Sequence, residues 1–313
     1  MSNEEAVLTT KVVGLKLRNA CDPFKLILTG DIHHGVGNHH SAGYLRMLAH
    51  CMDMKKRGFP FKIIYTGDEN DIASGSERAG LQAANLHGGT ILTIDEIFAI
   101  KCDELIEMNK PFAENIIGWI QGNHFWRFST SNTKRGYCEG MTSTEYICKK
   151  LGNHWLGFMS CIVIQVTAER DTACVSYKVV VCHGKTVCST AGGSINQVQA
   201  LRKIWPLADC YCLAHDHKLL ATKEPQLDIE NVGGPGASDH SLTSMEHMRV
   251  VAKEQILCRS GSQLKSYEAG VPSYAVGRAY HPSALGHVTI DIRATRKNDG
   301  NVRRFTWEHT ARI

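Results

Sequence analysis

Phe24-Lys25-Leu26-Ile27-Leu28-Thr29-Gly30-Asp31-Ile32-His33 sets the pattern for the whole chain. A mostly apolar run of strand length passes through a glycine and ends on Asp and His two residues apart. The arrangement recurs. Phe61-Lys62-Ile63-Ile64-Tyr65 leads to Gly67-Asp68-Glu69-Asn70-Asp71, and Ile116-Ile117-Gly118-Trp119-Ile120 leads to Gly122-Asn123-His124. Tyr177-Lys178-Val179-Val180-Val181 leads to His183-Gly184, and Cys210-Tyr211-Cys212-Leu213 to His215-Asp216-His217. Every run delivers Asp, Asn or His at its C-terminal end, which in an open α/β sheet is the edge where ligands bind. Between the first two runs, an amphipathic stretch carries Leu45, Leu48, Ala49 and Met52 and closes near Gly58. Strand, helix and strand in succession predict parallel neighbours joined by a right-handed crossover. The expected fold class is therefore α/β.

Outward from this unit, residues 1–10 read as a flexible tail and residues 11–313 as a single domain. Lys11–Leu17 is a plausible first strand. Residues 72–90, rich in Gly, Ala, Ser and Asn, read as a loop-bearing insertion. Thr93-Ile94-Asp95-Glu96 and Thr142-Ser143-Thr144-Glu145 both carry the capping-box signature. The first should start a helix through Ile97, Ile100, Leu105 and Met108 that stops before Pro111. The second should start one through Tyr146, Ile147 and Leu151. Two strands are expected over 155–181, around a polar turn at Ala168-Glu169-Arg170-Asp171, then a helix over 195–205 ended by Pro206. From 225 the chain reads as a Gly- and Ser-rich tail that ends in the alternation His287-Val288-Thr289-Ile290-Asp291-Ile292.

The chain has 313 residues, 43% of them hydrophobic, ample for a sizeable core. It lacks an apolar run long enough to cross a membrane, and its acidic start, Met1-Ser2-Asn3-Glu4-Glu5, is unlike a secretory signal. Cys161, Cys182, Cys210 and Cys212 lie inside apolar runs, and the 12 cysteines include no C-x-x-C pair. Buried reduced thiols in a cytoplasmic protein are expected. Cys182, next to His183, should pack rather than react, because strand alternation turns it to the other side. A net charge of +4 permits an anionic substrate without calling for nucleic acid.

Carboxylates, an amide and imidazoles together are the donor mix of a site for two borderline transition metals. Their order resembles the metallophosphoesterase, or calcineurin-like phosphoesterase, superfamily, whose pattern runs D-x-H, G-D-x-x-D, G-N-H-[DE], a lone His, then G-H-x-H. Here it stands as Asp31/His33, Asp68/Asp71, Asn123/His124, His183 and His215/His217, spanning residues 24 to 220. The resemblance implies a four-layer α/β/β/α sandwich of two mixed sheets flanked by helices. It also implies two divalent cations, Mn2+ first, with Fe, Zn or Ni as alternatives. Asp68 would bridge them. Asp31, His33 and His217 would complete one site, and Asn123, His183 and His215 the other. The implied reaction is phosphoester hydrolysis by a hydroxide held between the metals, with His124 as general acid. Asp71 would be either the partner of His124 or a helix N-cap before Ile72.

Gly-Asn-His also occurs at Gly37-Asn38-His39 and Gly152-Asn153-His154, but neither follows a strand-like run. The first reads as loop, the second as a helix end capped by Gly152. Three departures from the family pattern stand out. Phe125 replaces the acidic residue after Gly-Asn-His, Ala214 replaces the Gly before His-x-His, and Ile72-Ala73 follows Asp71 where protein Ser/Thr phosphatases have Arg-Gly. The stretch His183-Gly184-Lys185 through Ala208-Asp209, with Gly261-Ser262 through Pro272-Ser273-Tyr274 and Pro282, is similar to phage- and prophage-type members described as DNA-repair-exonuclease-like. That likeness implies a phosphodiesterase or nuclease, acting on DNA or a nucleotide in the cytoplasm of a bacterial or phage-infected cell. Lys185 and Arg127 are the candidate substrate contacts. The alternatives are a phosphomonoesterase or nucleotide pyrophosphohydrolase, and a metal-binding scaffold with little catalysis.

Overall fold

The computed structural model describes residues 8–73, 75–169, 174–231, 248–267, 269–270, 274–277, 282–299 and 302–313. Two six-stranded mixed sheets form an α/β sandwich. The first sheet holds β1 (Leu8–Leu17), β6 (Met159–Ala168), β7 (Cys174–Cys182), β8 (Cys210–Leu213), β10 (Met248–Ser260) and β9 (Leu219–Asn231), side by side in that order. The second runs β12 (Val302–Arg312), β11 (Val288–Asp299), β2 (Phe24–Thr29), β3 (Phe61–Tyr65), β4 (Ile116–Trp119) and β5 (His154–Trp155). β2, β3 and β4 are parallel neighbours, as are β7 and β8. The five motif-bearing strands thus form two parallel groups, one in each sheet.

Strand alternation builds the layers. Leu26 and Leu28 of β2 face the other sheet, where they meet Val179 and Val181 of β7 and Cys210 and Cys212 of β8 in one apolar cluster. The intervening Ile27 points outward, into a second cluster with Tyr44, Met47, Phe98, Leu105 and Ile147 from the covering helices. On the far side, Val180, Tyr211 and Leu213 pack against Val198 and Leu201. The order is helices, sheet, sheet, helix, as the resemblance implied. The covering helices are α1 (Ser41–Lys56), α3 (Gly88–Asn109) and α4 (Ser143–Leu151) on one side and α5 (Ala191–Ile204) on the other.

Several sequence expectations need correction. β1 begins at Leu8, so residues 8–10 belong to a strand, and only 1–7 of the expected tail lie outside the described residues. The 72–90 stretch contains a helix, α2 (Gly75–Ala83), and α3 starts at Gly88 with His87 as N-cap. Thr93 is therefore inside α3, its hydroxyl donating back to Gly89 O at 2.9 Å, and caps nothing. The buried stripe of α1 is Tyr44, Met47, Leu48, Cys51 and Met54, while Leu45 is 52% exposed. On α3 it is Phe98, Ala99, Cys102, Leu105 and Ile106, while Ile97 and Ile100 stay exposed. The chain read as a tail from 225 onward supplies β10 and β12 and most of β9, besides the expected β11. Arg170, Pro272 and Ser273 lie outside the described residues. Among the described residues no helix is long and apolar enough to cross a membrane. All 12 cysteines are free thiols.

Two Thr-x-x-Glu sequences thus differ in context. At Thr142 the box is complete: its side chain accepts from Glu145 N, and Glu145 bonds back to Thr142 N at 2.7 Å. Thr142→Ala should lower stability by about 1 kcal/mol, whereas Thr93→Ala on the exposed face of α3 should change it by less than about 0.5 kcal/mol. Urea unfolding of both variants checks this; equal losses would count against the assignment.

Candidate metal centre

The C-terminal ends of β2, β3, β4, β7 and β8 meet where the two sheets adjoin. Backbone bonds lash the loops together: Asp31 N to Gly67 O at 2.8 Å and His33 N to Asp68 O at 3.0 Å. Others cross between sheets, His183 Nδ1 to Thr66 O at 2.9 Å and His215 N to Asp31 Oδ2 at 3.0 Å. Nothing bulkier than glycine fits at two points. A Cβ on Gly122 would lie 2.0 Å from Asp68 Oδ1, and one on Gly67, already at φ 103°, would lie 2.6 Å from His183 Nδ1.

Among the described residues, the non-glycine positions with positive φ are Asp31, His33, Asp68, His215 and His217. Asp and His tolerate the left-handed region better than most side chains, yet each such residue costs about 1–3 kcal/mol and persists only where its surroundings hold it. All five belong to the donor set expected from the motifs. After β2, β3 and β8 the backbone turns a donor into the cleft through a left-handed residue, while Asn123 after β4 and His183 after β7 keep negative φ. Ala214 does not share this geometry, so an alanine there costs nothing in φ.

The donors fall into two sets. His33 Nε2 and His217 Nε2 are 3.2 Å apart, with Asp31 Oδ1 at 3.9 and 3.6 Å from them. Asp31 Oδ1 is buried and has no hydrogen-bond partner. In the second set Asn123 Oδ1 lies 2.9 Å from His183 Nε2 and 2.8 Å from His215 Nδ1, and these two nitrogens are 3.3 Å apart. Asp68 Oδ2 joins at 3.1 Å from His183 Nε2. Cations bound at about 2.0–2.2 Å bring their ligand atoms to about 3 Å from one another. The second set has that spacing and the first is slightly wider. Both sets are chemically suited to a divalent cation. His183 donates through Nδ1 to a carbonyl and His33 Nδ1 lies 3.1 Å from Asp71 Oδ2, which leaves each Nε2 facing the centre.

Electrostatics fit the same picture at His215 and His217, whereas at His33 and His183 the neighbouring carboxylates outweigh burial and favour the protonated ring. Burial, then the charge on neighbouring His183, lowers His215 to about 4, and burial takes His217 well below its usual value. Both are neutral imidazoles near pH 7, the form that ligates. Burial pushes Asp31 up to about 7. Burial also opposes ionisation of Asp68, but His183 and His124 hold it well below the usual carboxylate range. His183 is raised to about 9, because Asp68 outweighs the opposing effect of burial. A bound cation would reverse the balance that leaves the buried Asp31 carboxyl hard to ionise.

His124 stands beside both sets. Its Nδ1 is 2.9 Å from Asp71 Oδ1, within ion-pair range though not aligned for a hydrogen bond, and its Nε2 is 3.9 Å from Asp68 Oδ2. Asp71 lies several residues before Gly75, where α2 starts, and its carboxylate faces His33 and His124. Sequence reasoning missed its third neighbour. Arg78, buried on α2, donates to Asp71 Oδ1 at 3.0 Å, to Ala73 O, and to Asn123 O at 3.4 Å. No local signal marks this arginine, since its helix lies in a stretch whose composition suggests a loop. Also unforeseen was Glu69, buried between the motif residues, whose Oε1 accepts from Thr144 and whose carboxyl burial raises to about 7.

Other candidates sit apart from the donors. Lys185 is exposed in the loop after His183. Arg127 donates to Gly140 O at 2.8 Å and lies 5.8 Å over the Phe125 ring, which packs edge-on to Phe158. Of its aromatic neighbours, Trp126 and Phe128 are core residues. The two other Gly-Asn-His triplets play structural parts. Asn38 donates to Lys265 O and Asn153 to Ala113 O, and Gly152 ends α4 at φ 68°. Cys182 packs partly buried against the α5-side cluster.

No family model matches the chain, and no curated protein does.

Proposed function

We propose that this chain is a two-metal phosphoesterase of the metallophosphoesterase type, acting on phosphodiesters and, among these, on nucleic acid. The observation that carries the proposal is the coincidence of strain with chemistry. Five of the seven expected ligands are the residues held at positive φ, and all seven converge in two sets, one at ligand spacing and one slightly wider. Strain concentrated in this way marks a functional site. Asn123, His124, His215 and His217 open toward solvent, which suits a long substrate lying across the centre.

Asp31, His33 and His217 would hold one cation, Asn123, His183 and His215 the other, with Asp68 shared. When bound, such a pair lowers the pKa of coordinated water and neutralises charge on the phosphoryl oxygens. The protein's own part is positioning and proton transfer. Asp71 holds the Nδ1 edge of His124, which leaves Nε2 to give its proton to the leaving-group oxygen. Arg78 fixes Asp71, and so keeps the carboxylate that orients both His33 and His124. This serves in place of an acidic residue at position 125.

Elemental analysis of protein saturated with Mn2+ should find two ions per chain, and a manganese-soaked crystal should place them within about 4 Å of each other. One ion or none would end the two-metal mechanism. With manganese present, bis-nitrophenyl phosphate and single-stranded DNA should be cleaved faster than a nitrophenyl monoester. A preference for the monoester would reassign the substrate class.

Asp68→Asn should abolish activity and weaken both metal sites, while His183→Ala should chiefly weaken one. Calorimetric titration with Mn2+ separates the two outcomes; the same loss of both ions in each variant would contradict a bridging role for Asp68.

His124→Ala should keep both ions and the fold and lose activity by roughly 10²–10⁴-fold on substrates with an alkoxide leaving group. The loss on nitrophenolate esters should be small, because that group departs without a proton. Equal losses on both would mean that His124 stabilises phosphoryl charge and donates no proton.

A further inference from the structure

Among the described residues Arg259 is the largest fully buried charged side chain, with 0% exposure, and the phosphoesterase motifs give it no role. It stands at the end of β10 beside Leu213 of β8, one residue before the Ala214–His217 turn. Its guanidinium donates through Nη1 to Ala214 O at 2.7 Å, through Nε to Ser194 O at 3.2 Å, and through Nη2 to Gln197 Oε1. Nε also lies 3.5 Å from Asp216 Oδ2, which accepts from Ser194 Oγ at 2.6 Å.

Ala214 O accepts a second bond, from Asp216 N at 3.0 Å. That bond closes a three-residue turn around His215 at φ 74°. A turn of this kind with positive φ at its centre is the rare, strained form of the γ-turn. It points His215 and His217, both left-handed, at different donor sets. Arg259 adds a charge-assisted bond to the carbonyl that closes the turn and pairs with the carboxylate between the two histidines. The segment that follows serves the opposite loop. Ser260 Oγ accepts from Thr66 Oγ1 at 3.0 Å, while Ser262 Oγ and Gln263 N donate to Asp31 O at 2.9 and 3.0 Å.

We propose that Arg259 is a positioning residue: with Asp216 and Ser194 it clamps the His215-Asp216-His217 turn in its strained conformation, presenting one imidazole to each donor set. The consequence for metal binding rests on the two-metal reading above; the clamp itself does not. A planar fork does this work, and the single ammonium of lysine cannot span Ala214, Ser194 and Gln197 together.

Removing Arg259 alone would leave the buried Asp216 carboxylate to Lys218 Nζ, 3.7 Å from Oδ2, so the test pairs Arg259→Met with Asp216→Asn, beside Arg259→Lys. Hydrogen exchange of metal-free protein reads the turn directly. The Asp216 amide should exchange at least about tenfold faster in the double variant than in the unchanged protein, while the β2 and β7 amides keep their protection. Titration with Co2+ reads the consequence. Affinity should fall about 10–100-fold, with an altered visible spectrum, and Arg259→Lys should not restore either. Unchanged Asp216 exchange in the double variant overturns the clamp. So does a wild-type cobalt spectrum and affinity in Arg259→Lys. Failure of the unchanged protein to bind Co2+ or Mn2+ would instead overturn the two-metal reading, with the exchange result still deciding the clamp.

Discussion

Everything at the centre of this protein depends on the seam where two parallel groups of strands, one in each sheet, end side by side. Alternate residues of an extended strand share one side, and just past the ends of β2, β3 and β8 left-handed residues turn the donors they carry into the cleft. The turns are held because each loop is bonded to the next: Asp31 to Gly67, His33 to Asp68, His183 to Thr66, His215 to Asp31. The apolar layer between the sheets fixes the distance that these bonds span. The donor spacing is thus set by sheet packing rather than by any single loop.

The same seam explains why small residues and buried charges gather there. Gly67 and Gly122 allow backbones to pass within contact of Asp68 and His183. Asp71 is shared by His33, His124 and Arg78, so one carboxylate joins an expected ligand, the expected acid and a buried cation. Two arms of this network, to His33 and Arg78, are hydrogen-bonded, and the third, to His124, is an ion pair without an aligned hydrogen bond.

Much of this was legible in the residues. The strands carrying the motifs are short, apolar and bounded, and β3 and β8 begin and end where the runs Phe61–Tyr65 and Cys210–Leu213 do. The seven expected ligands converge because strand ends are where α/β sheets present side chains. The helices were harder. Leu45, Ile97 and Ile100 suggested faces that the fold leaves exposed, because Tyr44, Cys51, Phe98 and Cys102 on neighbouring stripes pack better against β2 and β3. β9 was hidden by Pro225, tolerated there because the strand lies at the sheet edge. Arg78 and Arg259 could not be read at all. Their partners lie up to 45 and 65 residues away, and no spacing rule reaches so far.

The placement of β10 and β11 bears on how the chain folds as it is made. A nascent chain that has emerged as far as His217 already contains every expected donor. It does not yet contain Ser262 and Gln263, which bond the Asp31 carbonyl, or Arg259 behind His215. Nor does it contain β11, so β2 still shows an open, apolar edge. Pairings such as Ile27 with Thr289 join segments from opposite ends of the sequence, and contacts of that range form slowly. The donor loops therefore gain their full set of supporting bonds only once this last segment has docked. Until the last third of the chain docks, the protein carries an unprotected strand edge, and it is in that interval that aggregation competes with folding.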